Sequence, residues 1–190
     1  MSHSAGPQLA AIVYSRGFDI DRLLVEVCAE AARAGIRLGG LLQVSTGERG
    51  GNCAATVHVV DLRTQAAFDI WENRGACAQG CRLDERGLAD AVPVIERAIT
   101  DRVGLIVVNR FGRAESLGKG LLGSFSAALE AGLPVLSAVR EPYVTAWQNF
   151  HGGLGIELPT NVPAIVGWMN ARPDRNQATR DTRWHPAIAR

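Results

Sequence analysis

Gly104-Leu-Ile-Val-Val-Asn-Arg-Phe-Gly-Arg-Ala-Glu-Ser-Leu-Gly-Lys-Gly120 is the stretch whose reading decides the fold. Its opening, Gly104 to Asn109, is a short apolar run of the kind buried on both faces of a parallel sheet. Arg110 to Gly120 then reads as a long loop, and Leu121 to Ala131 as a helix closed by Gly132. The same order recurs on either side. Upstream, Leu9 to Tyr14 is a second buried strand and Ser15 to Asp19 its loop. A helix capped by Asp19 or Asp21 follows, runs to about Ala34 and stops at Gly35. Downstream, Pro134 to Val139 is a third buried strand, followed by helices from about Pro142 to Phe150 and from Asn161 to Met169. Between these units, Ile36 to Ser45, Ala54 to Leu62 and Ala66 to Trp71 read as strands, the last two hairpin-linked. Asn73 to Arg82 reads as a loop, and Asp84 caps a helix to Thr100 that Pro93 should kink or split. The expected fold is α/β: a three-layer structure around a mainly parallel sheet with an antiparallel hairpin insertion.

The chain has 190 residues, 47% hydrophobic and 21% charged, the composition of a folded globular protein. One α/β domain is expected over residues 9–170, with a loose N-terminus at 1–8 and a flexible Arg-rich tail at 171–190. Lys+Arg 20 against Asp+Glu 19 leaves a net charge of +1, which argues against nucleic-acid binding through overall charge. No apolar run reaches a membrane span and no secretory leader is legible, so a cytoplasmic location without membrane contact is expected. Of the 20 basic residues, Lys119 is the single Lys. Coding bias explains that preference, or the lone Lys marks an anion site. Cys77 and Cys81 form C-x₃-C, but no C-x₂-C pair or zinc-finger His spacing accompanies them, so no metal is expected. Cys28 falls on the apolar face of its helix. His3, His58, His151 and His185 lie far apart and read as structural or surface residues.

Ligands of such sheets bind beyond the carboxyl ends of the strands, so the loops there hold the candidates. Ser15-Arg16-Gly17 precedes a helix start, whose free N–H groups favour anions; it is either an anion cradle or a plain strand–helix turn. No G-x-x-x-x-G-K-[ST] is present. In the second loop, Arg110, Arg113 and Lys119 accompany Gly112 and Glu115. Converging cations would bind a small oxyanion, with Glu115 orienting them or acting as a base; otherwise this is a solvated loop with an internal Arg–Glu pair. In Gly80-Cys-Arg-Leu-Asp84, either Arg82 reaches the same pocket or Asp84 is only a helix cap. No G-x-S-x-G or G-x-G-x-x-G supports a serine hydrolase or a dinucleotide enzyme.

Gly80-Cys-Arg-Leu-Asp84, Asn109-Arg-Phe-Gly-Arg-Ala-Glu115 and Phe150-x-Gly-Gly153 resemble the bacterial family catalogued as domain of unknown function 2478. The resemblance spans about residues 9 to 170 and implies a molybdenum context, since members are often encoded beside molybdenum-uptake genes, but no established activity. More distantly, the layout is similar to the thermostable-type P-loop nucleoside-triphosphatases. In those enzymes the second buried strand ends in an acid, followed by a Gly-containing loop with a Glu. Here Asn109 stands at the acid's place, with Gly112 and Glu115 following. The P-loop Lys and Ser/Thr are gone as well, so the resemblance implies a degenerate P-loop.

Phosphoryl transfer rests on positioning and on cations supplied by that Lys and by Mg²⁺. A site without them suits a metal-free tetrahedral anion such as molybdate or tungstate. The sequence therefore points to a non-catalytic oxyanion-binding protein. Its expected ligand residues are Ser15, Arg16, Gly17, Arg82, Asn109, Arg110, Gly112, Glu115 and Lys119, with no cofactor beyond the oxyanion. The alternative is a divergent nucleotide-binding protein or nucleoside-triphosphatase drawing cations from Arg16, Arg110 or a partner subunit. A third reading is an adaptor whose tail, carrying Trp184, docks on a second copy or another protein.

Overall fold

A computed structural model of the chain describes residues 8–46, 56–72 and 82–171, with the side chains at 45, 46, 56, 71, 72, 82 and 83 outside that description. The expected N-terminal segment up to residue 7 and the tail from 172 lie outside the described residues, as do Cys53, Cys77 and Cys81. Strands β1 (Leu9–Tyr14), β2 (Leu38–Thr46), β3 (Thr56–Asp61) and β4 (Ala67–Asp69) form the first half of the sheet, with helix α1 (Ile20–Arg33) between β1 and β2. After β5 (Trp71–Glu72) and β6 (Arg82–Leu83) come α2 (Glu85–Thr100), β7 (Leu105–Phe111), α3 (Arg113–Ser116) and α4 (Leu122–Glu130). Then follow β8 (Val135–Arg140), α5 (Val144–His151), β9 (Gly155–Leu158) and α6 (Val162–Asn170). No helix among the described residues is long and apolar enough to cross a membrane.

The main sheet has the order β4-β3-β2-β7-β8-β1-β9. Five strands are parallel, and the β3–β4 hairpin adds to β2 antiparallel, as the patterning predicts. Trp71, expected at the end of the hairpin strand, instead pairs with Leu83 in a separate two-stranded ribbon. β9 is also absent from the sequence reading. It is four residues long and forms only because β1 offers an open edge, with Leu9 opposite Gly155.

Two apolar layers clamp the sheet. On one side α1 buries Ile20, Leu23, Leu24, Val27, Cys28 and Ala31, and packs with Ile165 and Trp168 of α6. Asp19 caps this helix by accepting the Arg22 N–H at 3.2 Å. On the other side α2 buries Leu88, Ala91, Val94, Ile95 and Ala98 beside α4 and α5. Pro93 does not split α2; it lies on the exposed side, where the carbonyl it deprives of a partner can turn to water. Gly40 lets β2 lie against β7: at its φ of +105° a Cβ would sit 2.1 Å from the Val107 carbonyl oxygen.

The end of β7 departs most from expectation. Ile106 and Val108 face the α2 side and Val107 the α1 side, the alternation of a regular strand. The register on β8 then slips, with Val108 opposite Ser137 but Phe111 opposite Val139, so a β-bulge lies between. The aromatic core shows what the bulge accommodates. Phe111 is 1% exposed on the α2 side, its ring 5.3 Å from Trp147 and 6.1 Å from Phe125. The strand therefore runs two residues past Asn109, and Arg110 belongs to it rather than to a loop.

Candidate functional site at the carboxyl edge of the sheet

The bulge changes what the side chains at the end of β7 can reach. Consecutive residues of a regular strand point to opposite faces; here Asn109 and Arg110 both reach the first turn of α1. Arg110 Nη2 donates to Asp21 Oδ1 at 2.7 Å, and Asn109 Nδ2 donates to the same oxygen at 3.3 Å. From the neighbouring β2, Gln43 Nε2 donates to Asp21 Oδ2 at 3.4 Å. Tyr14, at the end of β1, accepts from Arg110 Nη1 at 3.0 Å through its hydroxyl. Three side-chain nitrogens from two strands thus converge on one carboxylate. The cluster is secluded: the Asp21 and Arg110 side chains are 15% and 29% exposed, and Asn109 is buried. Two polar atoms in it, Asn109 Oδ1 and Arg110 Nε, are buried without a hydrogen-bond partner. Such groups cost about 1–3 kcal/mol each.

The other expected ligand residues divide. Ser15, Arg16 and Gly17 form a tight turn, in which the Phe18 N–H donates to the Ser15 carbonyl at 3.2 Å and Gly17 takes a φ of +90°. Ser15, Arg16 and Lys119 are exposed on loops of the same edge, and Arg113 is exposed at the start of α3. Among the described residues, none of the side chains of Arg16, Arg113 and Lys119 joins the Asp21 cluster by a hydrogen bond or ion pair. Glu115 corrects the expectation most directly. It is 7% exposed, and its oxygens accept the N–H groups of Gly112 at 2.9 Å and Leu121 at 3.0 Å. It ties the loop around α3 rather than orienting cations or facing a ligand. Arg82 stands on β6, and its side chain lies outside the described residues. Asp84 caps α2, accepting the Arg86 N–H at 2.9 Å.

Asp21 reads in the sequence only as a helix cap, and neither it nor Tyr14 nor Gln43 stands out there as a site residue. Their signals are weak, since an acid in a first helical turn and a Tyr ending a strand are ordinary features. His151, by contrast, acts locally. Its Nδ1 accepts the Gly153 and Gly155 N–H groups at 3.1 Å each and turns α5 into β9. In that turn Gly152 and Gly153 of the Phe150-x-Gly-Gly153 motif take φ values of +52° and +90°, which glycine adopts without strain. At the opposite edge of the sheet a cleft of about 390 Å³ is lined in part by Arg37, Arg63, Arg97, Asp61 and Asp101. Arg63 pairs with Asp101, Arg97 lies 3.6 Å from Asp61, and Arg37 donates to the backbone carbonyls of Asp101 and Arg102.

The family model described as "Protein of unknown function (DUF2478)" matches residues 9–168. The chain belongs to this family. Among curated proteins, this DUF2478 chain is similar to the "Molybdenum import ATP-binding protein ModC 2" of Bradyrhizobium diazoefficiens. The two are 36% identical over 181 residues, 95% of this chain and 20% of the relative, so the chain spans about a fifth of that protein's length. Among solved structures it is similar to "Solution Structure of a Human Cancer-Related Nucleoside Triphosphatase". The TM-score is 0.58 at 15% identity, over 83% of this chain and 96% of that one. At that identity the likeness is one of fold, and the fold of this DUF2478 chain is P-loop-like.

Proposed function

We propose that this DUF2478 chain is a non-catalytic oxyanion-binding module in molybdate or tungstate handling, with its site at the carboxyl edge of the sheet. The observation that carries the reading is the convergence of Arg110, Asn109 and Gln43 on a single anionic group at the end of β7 and β2. The name of the curated relative supplies the molybdenum context. Phosphoryl transfer is disfavoured by charge placement. A P-loop sets a Lys and a Ser/Thr at the helix start, whereas here Asp19 and Asp21 stand there and the cation comes from β7.

Nucleotide binding is the second reading, favoured by the P-loop-like fold and by the relative's description as an ATP-binding protein. A thermal-shift panel of molybdate, tungstate, sulfate, phosphate and Mg–ATP separates the two. A ligand at about 100 times its Kd stabilises by roughly 2.7 kcal/mol, about 5–10 °C for a domain of this size. Molybdate or tungstate should give that shift, and Arg110→Ala should weaken binding by about 1.5–3 kcal/mol, the worth of a charged hydrogen bond. A shift with Mg–ATP alone, or unchanged oxyanion affinity in Arg110→Ala, rejects the oxyanion site.

A further inference from the structure

Resting on the oxyanion reading, we infer that Asp21 is the selectivity-determining residue of the site. Its carboxylate is a built-in competitor that fills the cradle and admits only anions carrying more charge than its own.

The donors around Asp21 have the arrangement of an anion site already occupied. Arg110 Nη2 and Asn109 Nδ2 meet on one carboxylate oxygen and Gln43 Nε2 on the other. A ligand using these nitrogens must take them from Asp21. For a monoanion the exchange gains nothing: one negative charge leaves the Arg110 guanidinium, another arrives, and the newcomer has lost its translational freedom. A dianion differs, because its double charge is drawn to the Arg110 guanidinium more strongly than the single charge of the carboxylate it displaces. Asp21 is suited to yield. It is the second residue of α1, and Asp19 caps the helix independently of it. The buried, unpartnered Arg110 Nε adds a donor that the carboxylate leaves unused.

The test compares molybdate with perrhenate, a tetrahedral monoanion of nearly the same size, by isothermal titration of wild type, Asp21→Asn and Asp21→Ser. Wild type should bind molybdate and reject perrhenate. Both variants should bind molybdate at least tenfold more tightly and should gain perrhenate binding, and adding Arg110→Ala should abolish the gain. A purely structural Asp21 would not raise affinity when replaced. If wild type binds molybdate in an Arg110-dependent manner while the Asp21 variants, folded by their melting curves, bind equally or more weakly, the selectivity role is overturned and the oxyanion site stands. If neither wild type nor any folded variant binds either anion, both inferences fall.

Discussion

Glu115 shows how one side chain can mimic a functional residue while serving the fold. A carboxylate beside three cations in a Gly-rich loop invites a chemical role. In the structure its two oxygens are spent on the N–H groups of Gly112 and Leu121, which otherwise lie unpaired around the short α3 turn. Gly120 is bound to the same arrangement, since a Cβ there would stand 2.3 Å from Glu115 Oε1. Replacing Glu115 with Ala strips two amides of their charged acceptor, and urea unfolding should register a loss of about 2–4 kcal/mol. Glu115→Gln should also destabilise, because its NH₂ group turns a donor toward one of the two amides. Arg110 differs from Glu115 in having its Nη2 met by another side chain, Asp21, which a ligand can replace.

At the scale of elements, α1 links the core to the candidate site. Its apolar stripe anchors it to the sheet, and its first turn delivers Asp21 to β2 and β7. Cys28 sits in the middle of that stripe, 1% exposed, and burial pushes its thiol from an ordinary value of 9.0 up to about 12. Below about pH 9 the thiol is protonated in both folded and unfolded chains, and its contribution to stability is complete. Above that, the unfolded chain releases the proton while the folded one keeps it, so stability falls with rising pH at about 1.4 kcal/mol per unit. Chemical denaturation from pH 8 to 11 should show that slope in wild type and a correspondingly shallower one in Cys28→Ala. The same burial predicts that Cys28 resists thiol reagents at neutral pH until the helix unfolds.

At the scale of the whole molecule, one sheet separates two apolar layers that share no helix. Leu24 of α1 and Ile95 of α2 are fully buried on opposite sides of it. Leu24→Ala and Ile95→Ala should each cost about 2–5 kcal/mol through the cavity left behind. Because the two sites share no contacts, their losses should add to within about 0.5 kcal/mol in the double variant, as measured by denaturant midpoints. Strong non-additivity would mean that the sheet transmits repacking from one layer to the other. The carboxyl edge where α1, β1, β2 and β7 meet is also where the P-loop-like fold brings distant segments together.

The sequence by itself determined the α/β class, the three short buried strands, the caps at Asp84 and Asn161, a cap for α1 at Asp19 or Asp21, and the hairpin added to the parallel sheet. These follow from local periodicity and from capping chemistry, which act over a few residues. β9, the bulge at the end of β7 and the Asp21 cluster were decided only by the tertiary structure. β9 has too few residues to declare itself and depends on the open edge of β1. The bulge exists because Phe111 packs into a ring cluster built by α4 and α5, which overrides the strict alternation a strand pattern implies. Asp21 and Asn109 are 88 residues apart, and no spacing rule connects them. Only the crossing of α1 over the sheet brings that carboxylate to those donors, because contact in a folded chain is set by packing rather than by distance along it.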